Sequence, residues 1–187
     1  MEFLSTLWLP ILLSAVAVFI VSAIIHMVLG YHKNDAVGLA AEDEVMALLR
    51  EKGFAAGDYV MPHAGSMAAM KSEAYLARCA QGPVGFFTLL PGGSFAMGKS
   101  LVQWFVFCVV VGVFTAYVTN LALLPGAEYL AVHRVAGCVA FMAYALGGWP
   151  QSIWYKRKWS TTWKNTFDGL VYGLITGGFF GWLWPAA

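Results

Sequence analysis

Charge and cysteine are both scarce in this chain. Acidic and basic side chains make up 11% of its residues, against 60% hydrophobic ones. That balance excludes an ordinary water-soluble domain, in which about a quarter of residues are charged. The 11 Lys and Arg are nearly cancelled by 10 Asp and Glu, so no basic surplus is left to hold a phosphate backbone, and no nucleic-acid partner is expected. Cys79, Cys108 and Cys138 are an odd number, and two of them fall inside long apolar runs, so they imply no disulfide framework. The chain has no CxxCH for covalent haem, no paired CxxC for zinc or an iron–sulfur cluster, and no GxSxG nucleophile elbow. The soluble-enzyme chemistries that announce themselves by those spacings are therefore not indicated, so a non-enzyme is favoured, while an intramembrane enzyme, which needs none of them, stays open as a lower-ranked reading.

What is present is length without charge. Four apolar runs, at about 7–29, 101–124, 129–148 and 167–184, are each long enough for a helix to cross roughly 30 Å of hydrocarbon. The first has only Glu2 before it rather than a basic n-region, so it reads as a retained span and not a cleaved signal. The second closes at Leu124-Pro125-Gly126, the third at Trp149-Pro150, and the fourth runs into Trp184-Pro185, all helix-stopping or interface-anchoring combinations. The fold class expected is all-α: an integral membrane four-helix bundle in one membrane domain over 1–187, with a cytoplasmic or interfacial segment of short helices over 31–99.

Basic residues set the orientation. Lys33, Arg50, Lys52, Lys71, Arg78 and Lys99 lie between the first and second runs, and Lys156, Arg157, Lys158 and Lys164 between the third and fourth. The positive-inside rule puts both connections in the cytoplasm, with the N-terminus and C-terminus outside, in a bacterial inner membrane. Within the long connection, Glu42 to Arg50 reads as a short helix with acids first and Gly53 as its stop, and Ser72 to Ala80 as a second, capped by Ser72. Residues 82–93 are apolar but interrupted by Pro and Gly, which reads as an interfacial or shallow re-entrant stretch, or a loop packed on helix ends.

Gly169, Gly173, Gly177 and Gly181 recur every fourth residue in the last run. A face stripped to backbone lets helices approach closely where lipid offers no hydrophobic drive. Its partner is either the third run, through Ala136, Ala140 and Ala143, or another membrane-protein subunit, or a flat ligand such as a pigment, a quinone or a lipid.

Polar groups within apolar runs are costly and are the first candidates for function. His26 stands near the cytoplasmic end of the first run, and Asp168 near the cytoplasmic start of the fourth, beside Asn165. Gln103 stands at the start of the second. At one depth they make a candidate ligand or proton site, although the same residues also suit helix ends at the headgroup boundary. His133 and Arg134 lie about a turn inside the third run on the external side and are candidates for contact with Glu128, a partner carboxylate or a headgroup. A bis-histidine haem is disfavoured, because His26 and His133 fall at opposite faces. Met61, His63, Met67 and Met70 gather soft donors of the kind that suit Cu(I).

Ser152-Ile153-Trp154-Tyr155-Lys156-Arg157-Lys158-Trp159, then Asn165 and the Gly-rich run ending in Trp184-Pro185, resemble an uncharacterised family of small bacterial four-helix integral membrane proteins. The resemblance covers roughly 98–185 and implies the topology and no activity. The leading expectation is a non-catalytic accessory or structural subunit of a larger respiratory or photosynthetic membrane complex, packing through the glycine-striped helix. The alternative is a small proton-linked transporter or channel using His26 and Asp168.

Overall fold

The computed structural model describes residues 2–93 and 97–187. The chain is mostly helical and divides into two compact units, one of Met1–Val37 with Ala96–Ala187, the other Gly38–Phe95.

In the first unit four long helices pack on one another: α1 (Glu2–Met27), α4 (Met97–Ala122), α5 (Tyr129–Ala145) and α7 (Trp159–Trp182). α1 contacts α4 and α7, while α5 contacts α4 and α7. A 3-10 turn at Leu146–Gly148 and the short α6 (Trp149–Ile153) extend α5. Ser152 and Thr162 share a 2.5 Å hydrogen bond there, and the Trp149 indole donates to Thr166. Three stretches are long and apolar enough to cross a membrane, Phe3–Met27, Met97–Ala122 and Tyr129–Ile153. The expected fourth span, 167–184, lies mostly in α7, which is not among them. α7 starts eight residues earlier than expected, and Lys164, Asn165 and Asp168 stand in its first turns while glycines dilute the rest.

Exposed and buried faces are inverted relative to a water-soluble bundle. α1 exposes Trp8, Leu12, Val16, Ile20 and Ile24, every fourth residue, and α4 does the same with Val102, Val106, Val110, Phe114 and Val118. Buried inside are Ser14, Ser22, Thr115, Thr119, Thr176 and Asp168 beside small and apolar residues. Hydrocarbon outside and hydroxyls inside is the pattern that lipid as solvent selects.

The glycine stripe determines how closely α7 sits on α5. A Cβ on Gly177 would lie 2.7 Å from the His133 carbonyl oxygen, one on Gly173 2.9 Å from that of Gly137, and one on Gly169 2.7 Å from the Ala145 Cβ. The facing residues on α5 are therefore Tyr129, His133, Gly137, Phe141 and Ala145, again every fourth. Ala136 and Ala140 are buried, Ala136 in a cluster with Leu7, Ile11, Ala116, Val132 and Phe180, and Ala143 is exposed. The stripe is thus covered within the chain, by a face of α5 rotated about one residue from the alanine face.

In the second unit, α2 (Glu42–Glu51) and α3 (Glu73–Gln81) fall where the capping signals place them. The Ser72 hydroxyl accepts the Tyr75 N–H at 3.3 Å. Residues 82–93 are neither loop nor re-entrant throughout. Gly85–Leu89 forms β2, which pairs antiparallel with β1 (Gly57–Met61), Gly57 opposite Leu89 and Met61 opposite Gly85. Aromatic residues suit a pleated surface, and Tyr59 stacks on Phe87 across the pair at 5.3 Å.

Candidate functional site

α1 ends in a turn that brings the chain back over its own last residues. Gly30 adopts φ +65°, a backbone region that glycine occupies without a Cβ penalty. Two turn hydrogen bonds follow, Lys33 N–H to the Gly30 carbonyl at 3.2 Å and Asp35 N–H to the His32 carbonyl at 2.9 Å. The turn sets Tyr31, His32 and Asp35 beside His26 of α1 and the first turns of α7.

Asp168 is the centre. Only 3% exposed, it accepts the Tyr31 hydroxyl on Oδ1 and faces His32 Nε2 on Oδ2 at 2.8 Å. His26 Nε2 stands 4.0 Å from the same Oδ2. The other nitrogen of His32, Nδ1, lies 2.7 Å from Asp35 Oδ2, and the Lys164 ammonium donates to Asp35 Oδ1 at 2.6 Å and to the Tyr31 carbonyl at 2.7 Å. The His26 and His32 rings lie 4.3 Å apart, centroid to centroid. Donor atoms of His26, His32 and Asp168 all lie within 4.8 Å of one another.

His26, His32, Asp35 and Asp168 line a cleft of about 510 Å3, whose walls also include Trp104, Tyr144, Asn165 and Tyr172. Trp104 is held by its indole N–H, which donates to the Ser22 hydroxyl at 2.8 Å. The Tyr172 hydroxyl is buried and has no hydrogen-bond partner among the described residues. A buried hydroxyl of that kind costs free energy unless something in the cleft meets it.

Electrostatics tie the turn to α7. Burial pushes the Asp35 carboxyl up, but hydrogen bonds from Lys164 and His32, with their charges, win and hold it at about 2. Burial and the hydrogen bond to Asp168 push the Tyr31 phenol far up, so it remains a donor. Because the folded pKa of Asp35 lies below its ordinary value of 3.8, the stabilisation is complete above that value and is lost as pH falls through about 2. Thermal unfolding in detergent should show this acid-side loss, and Asp35→Asn should remove that component.

No protein-family model, curated protein or solved structure matches this chain.

Of the residues singled out from sequence, His26, Asp168 and Asn165 come together at this cleft, whereas Gln103 is exposed and not part of its lining. His32, Tyr31, Asp35 and Lys164 were not singled out. Their only sequence signal is His32 three residues before Asp35, directly after a glycine turn. His133 stacks on Tyr129 at 5.7 Å with its buried Nδ1 unpartnered among the described residues, and Arg134 is exposed. His63, Met67 and Met70 line a separate cavity of about 410 Å3 in the second unit, and Met61 lies in β1 outside that lining.

Gly93-Ser94-Phe95-Ala96-Met97-Gly98-Lys99-Ser100 has the GxxxxGKS form of a phosphate-binding loop, follows β2, and has its last four residues in the first turn of α4. That motif works on a strand of a βαβ sheet. Here β2 belongs to a two-stranded antiparallel sheet, α4 is one of the three apolar spanning candidates, and residues 94–96 lie outside the described residues.

Proposed function

We propose that this chain is a small integral membrane protein of a bacterial inner membrane that binds and conducts a small cation through the cleft around Asp168. It spans the bilayer four times, with α7 as the fourth span. The end bearing Lys33, Arg157 and Lys164 faces the cytoplasm by the positive-inside rule, and both chain ends lie outside. The outward face of α7, Trp163, Phe167, Leu170 and Leu174, is as apolar as those of α1 and α4, which supports its burial in lipid despite its lower hydropathy.

The observation that carries the reading is Asp168 itself. A carboxylate that is 3% exposed and set a few turns into an apolar helix is retained against a large desolvation cost, and in membrane proteins such groups face ion or substrate pathways. Beyond it the helices keep further hydroxyls in their interior, and those of Thr115 and Thr119 have no hydrogen-bond partner among the described residues. These are the polar groups along which a partly dehydrated cation can pass.

A non-catalytic accessory subunit of a respiratory or photosynthetic complex is the second reading. Such a subunit would have to dock through another surface, since α5 already covers the glycine stripe.

The test is flux in reconstituted vesicles under imposed gradients of monovalent and divalent cations. The unmutated protein should conduct at least one of them, and Asp168→Asn should abolish that flux. Absence of flux for every cation in the unmutated protein would contradict the proposal.

A further inference from the structure

We infer that the cation taken by this cleft is a divalent transition metal of the zinc class, ligated by Nε2 of His26, Nε2 of His32 and Oδ2 of Asp168. The inference rests on the reading of the cleft as a cation site and names the ion class.

The donor set comes first. Two imidazole nitrogens and one carboxylate oxygen are borderline ligands that suit zinc, whereas sodium, potassium, magnesium and calcium take oxygen ligands throughout, and Cu(I) takes sulfur. The spacing also fits. Metal–ligand bonds of about 2.0–2.1 Å in a tetrahedron separate the ligand atoms by about 3.3 Å. His32 Nε2 and His26 Nε2 stand 2.8 Å and 4.0 Å from Asp168 Oδ2, one on either side of that edge. His26 has a half-exposed side chain and can swing inward to close its gap.

The surrounding groups are arranged as they are around metal-ligating histidines. His32 has carboxylate oxygens at both ring nitrogens. Such a ring is satisfied either by carrying hydrogen on both nitrogens or by donating from Nδ1 and sharing a cation with Asp168 at Nε2. Asp35 holds Nδ1 at 2.7 Å and is itself fixed by Lys164. This is the carboxylate–histidine–metal relay that sets tautomer and ring orientation. The Tyr31 hydroxyl occupies Oδ1 of Asp168 and leaves Oδ2 for the metal. The unpartnered Tyr172 hydroxyl, only 4% exposed and on the same cleft wall, is an independent sign that a ligand or its water belongs there. Three protein ligands in an open cleft leave a fourth position for water, the arrangement of an exchangeable site rather than a closed structural one.

Isothermal titration of untagged, chelator-stripped protein in detergent with Zn2+ tests the inference. One ion per chain should bind, magnesium in excess should not compete, and Asp35→Asn should weaken binding roughly 10–100-fold. His26→Ala should weaken it at least as much, and this variant is safe to interpret because among the described residues the His26 ring approaches Asp168 no nearer than 4.0 Å. Absence of zinc binding, or equal binding by the unmutated protein and by both His26→Ala and His32→Ala, would overturn the metal assignment. Zinc failing to bind while vesicles show Asp168-dependent flux of a monovalent cation would remove the zinc site and leave the cation cleft standing. Failure of both experiments would remove both.

Discussion

Gly177→Leu is expected to cost the isolated protein about 3 kcal/mol of stability or more, the upper range for overpacking a closely fitted interior. A Cβ alone would sit 2.7 Å from the His133 carbonyl oxygen and 3.1 Å from the Gly137 Cα. Both obstacles are backbone, so no side-chain rotation relieves them and α5 must move off α7. Gly173→Leu meets the Gly137 carbonyl in the same way. The adjacent Gly178 is the control, because a Cβ there has only the Tyr129 hydroxyl within reach, at 3.8 Å. Gly178→Ala should therefore change the unfolding temperature in detergent little, while Gly177→Leu lowers it sharply or prevents folding. If the stripe served a separate partner instead, the purified chain would tolerate Gly177→Leu and only co-purification would suffer. Unchanged stability in Gly177→Leu would refute the α5–α7 contact.

The second large effect separates Asp168 from His26. Asp168→Ala removes the acceptor for the Tyr31 hydroxyl and for His32 Nε2 at a buried position. Leaving buried hydrogen-bonding groups without their partner costs about 1–3 kcal/mol each. His26→Ala removes a half-exposed ring whose approach to Asp168 is 4.0 Å, so its cost should be within about 0.5 kcal/mol, as for surface substitutions. Urea or thermal unfolding of the two variants in one detergent should show that separation, even though both are expected to weaken zinc binding. Equal destabilisation by both would mean that His26 carries structural weight the geometry does not give it.

How much of this could be read without the structure follows from what is local and what is not. The extents of α2 and α3 are visible because caps and stops are local chemistry, as with Ser72 and Gly53. The approach of His26 to Asp168 is visible because each interrupts an apolar run about a turn from the same end. The glycine stripe is visible as a close-packing face, yet which face of α5 covers it depends on a helix rotation that alanine spacing alone does not determine. His32 escaped for a related reason. Six residues beyond His26 it looks like the hydrophilic exit of a span, and only the turn at Gly30 returns it to Asp168. The β1–β2 pairing joins segments about thirty residues apart, and an apolar strand of five residues is indistinguishable from an interfacial segment until its partner is known.

The most direct test of the account is X-ray absorption at the zinc edge on protein loaded with one equivalent of Zn2+. The account predicts nitrogen and oxygen scatterers only, at about 2.0–2.1 Å, with the outer-shell signature of two imidazoles that falls to one in His26→Ala. A sulfur shell at about 2.3 Å would place the ion on cysteine instead, and a shell without imidazole would contradict the His26, His32 and Asp168 site outright.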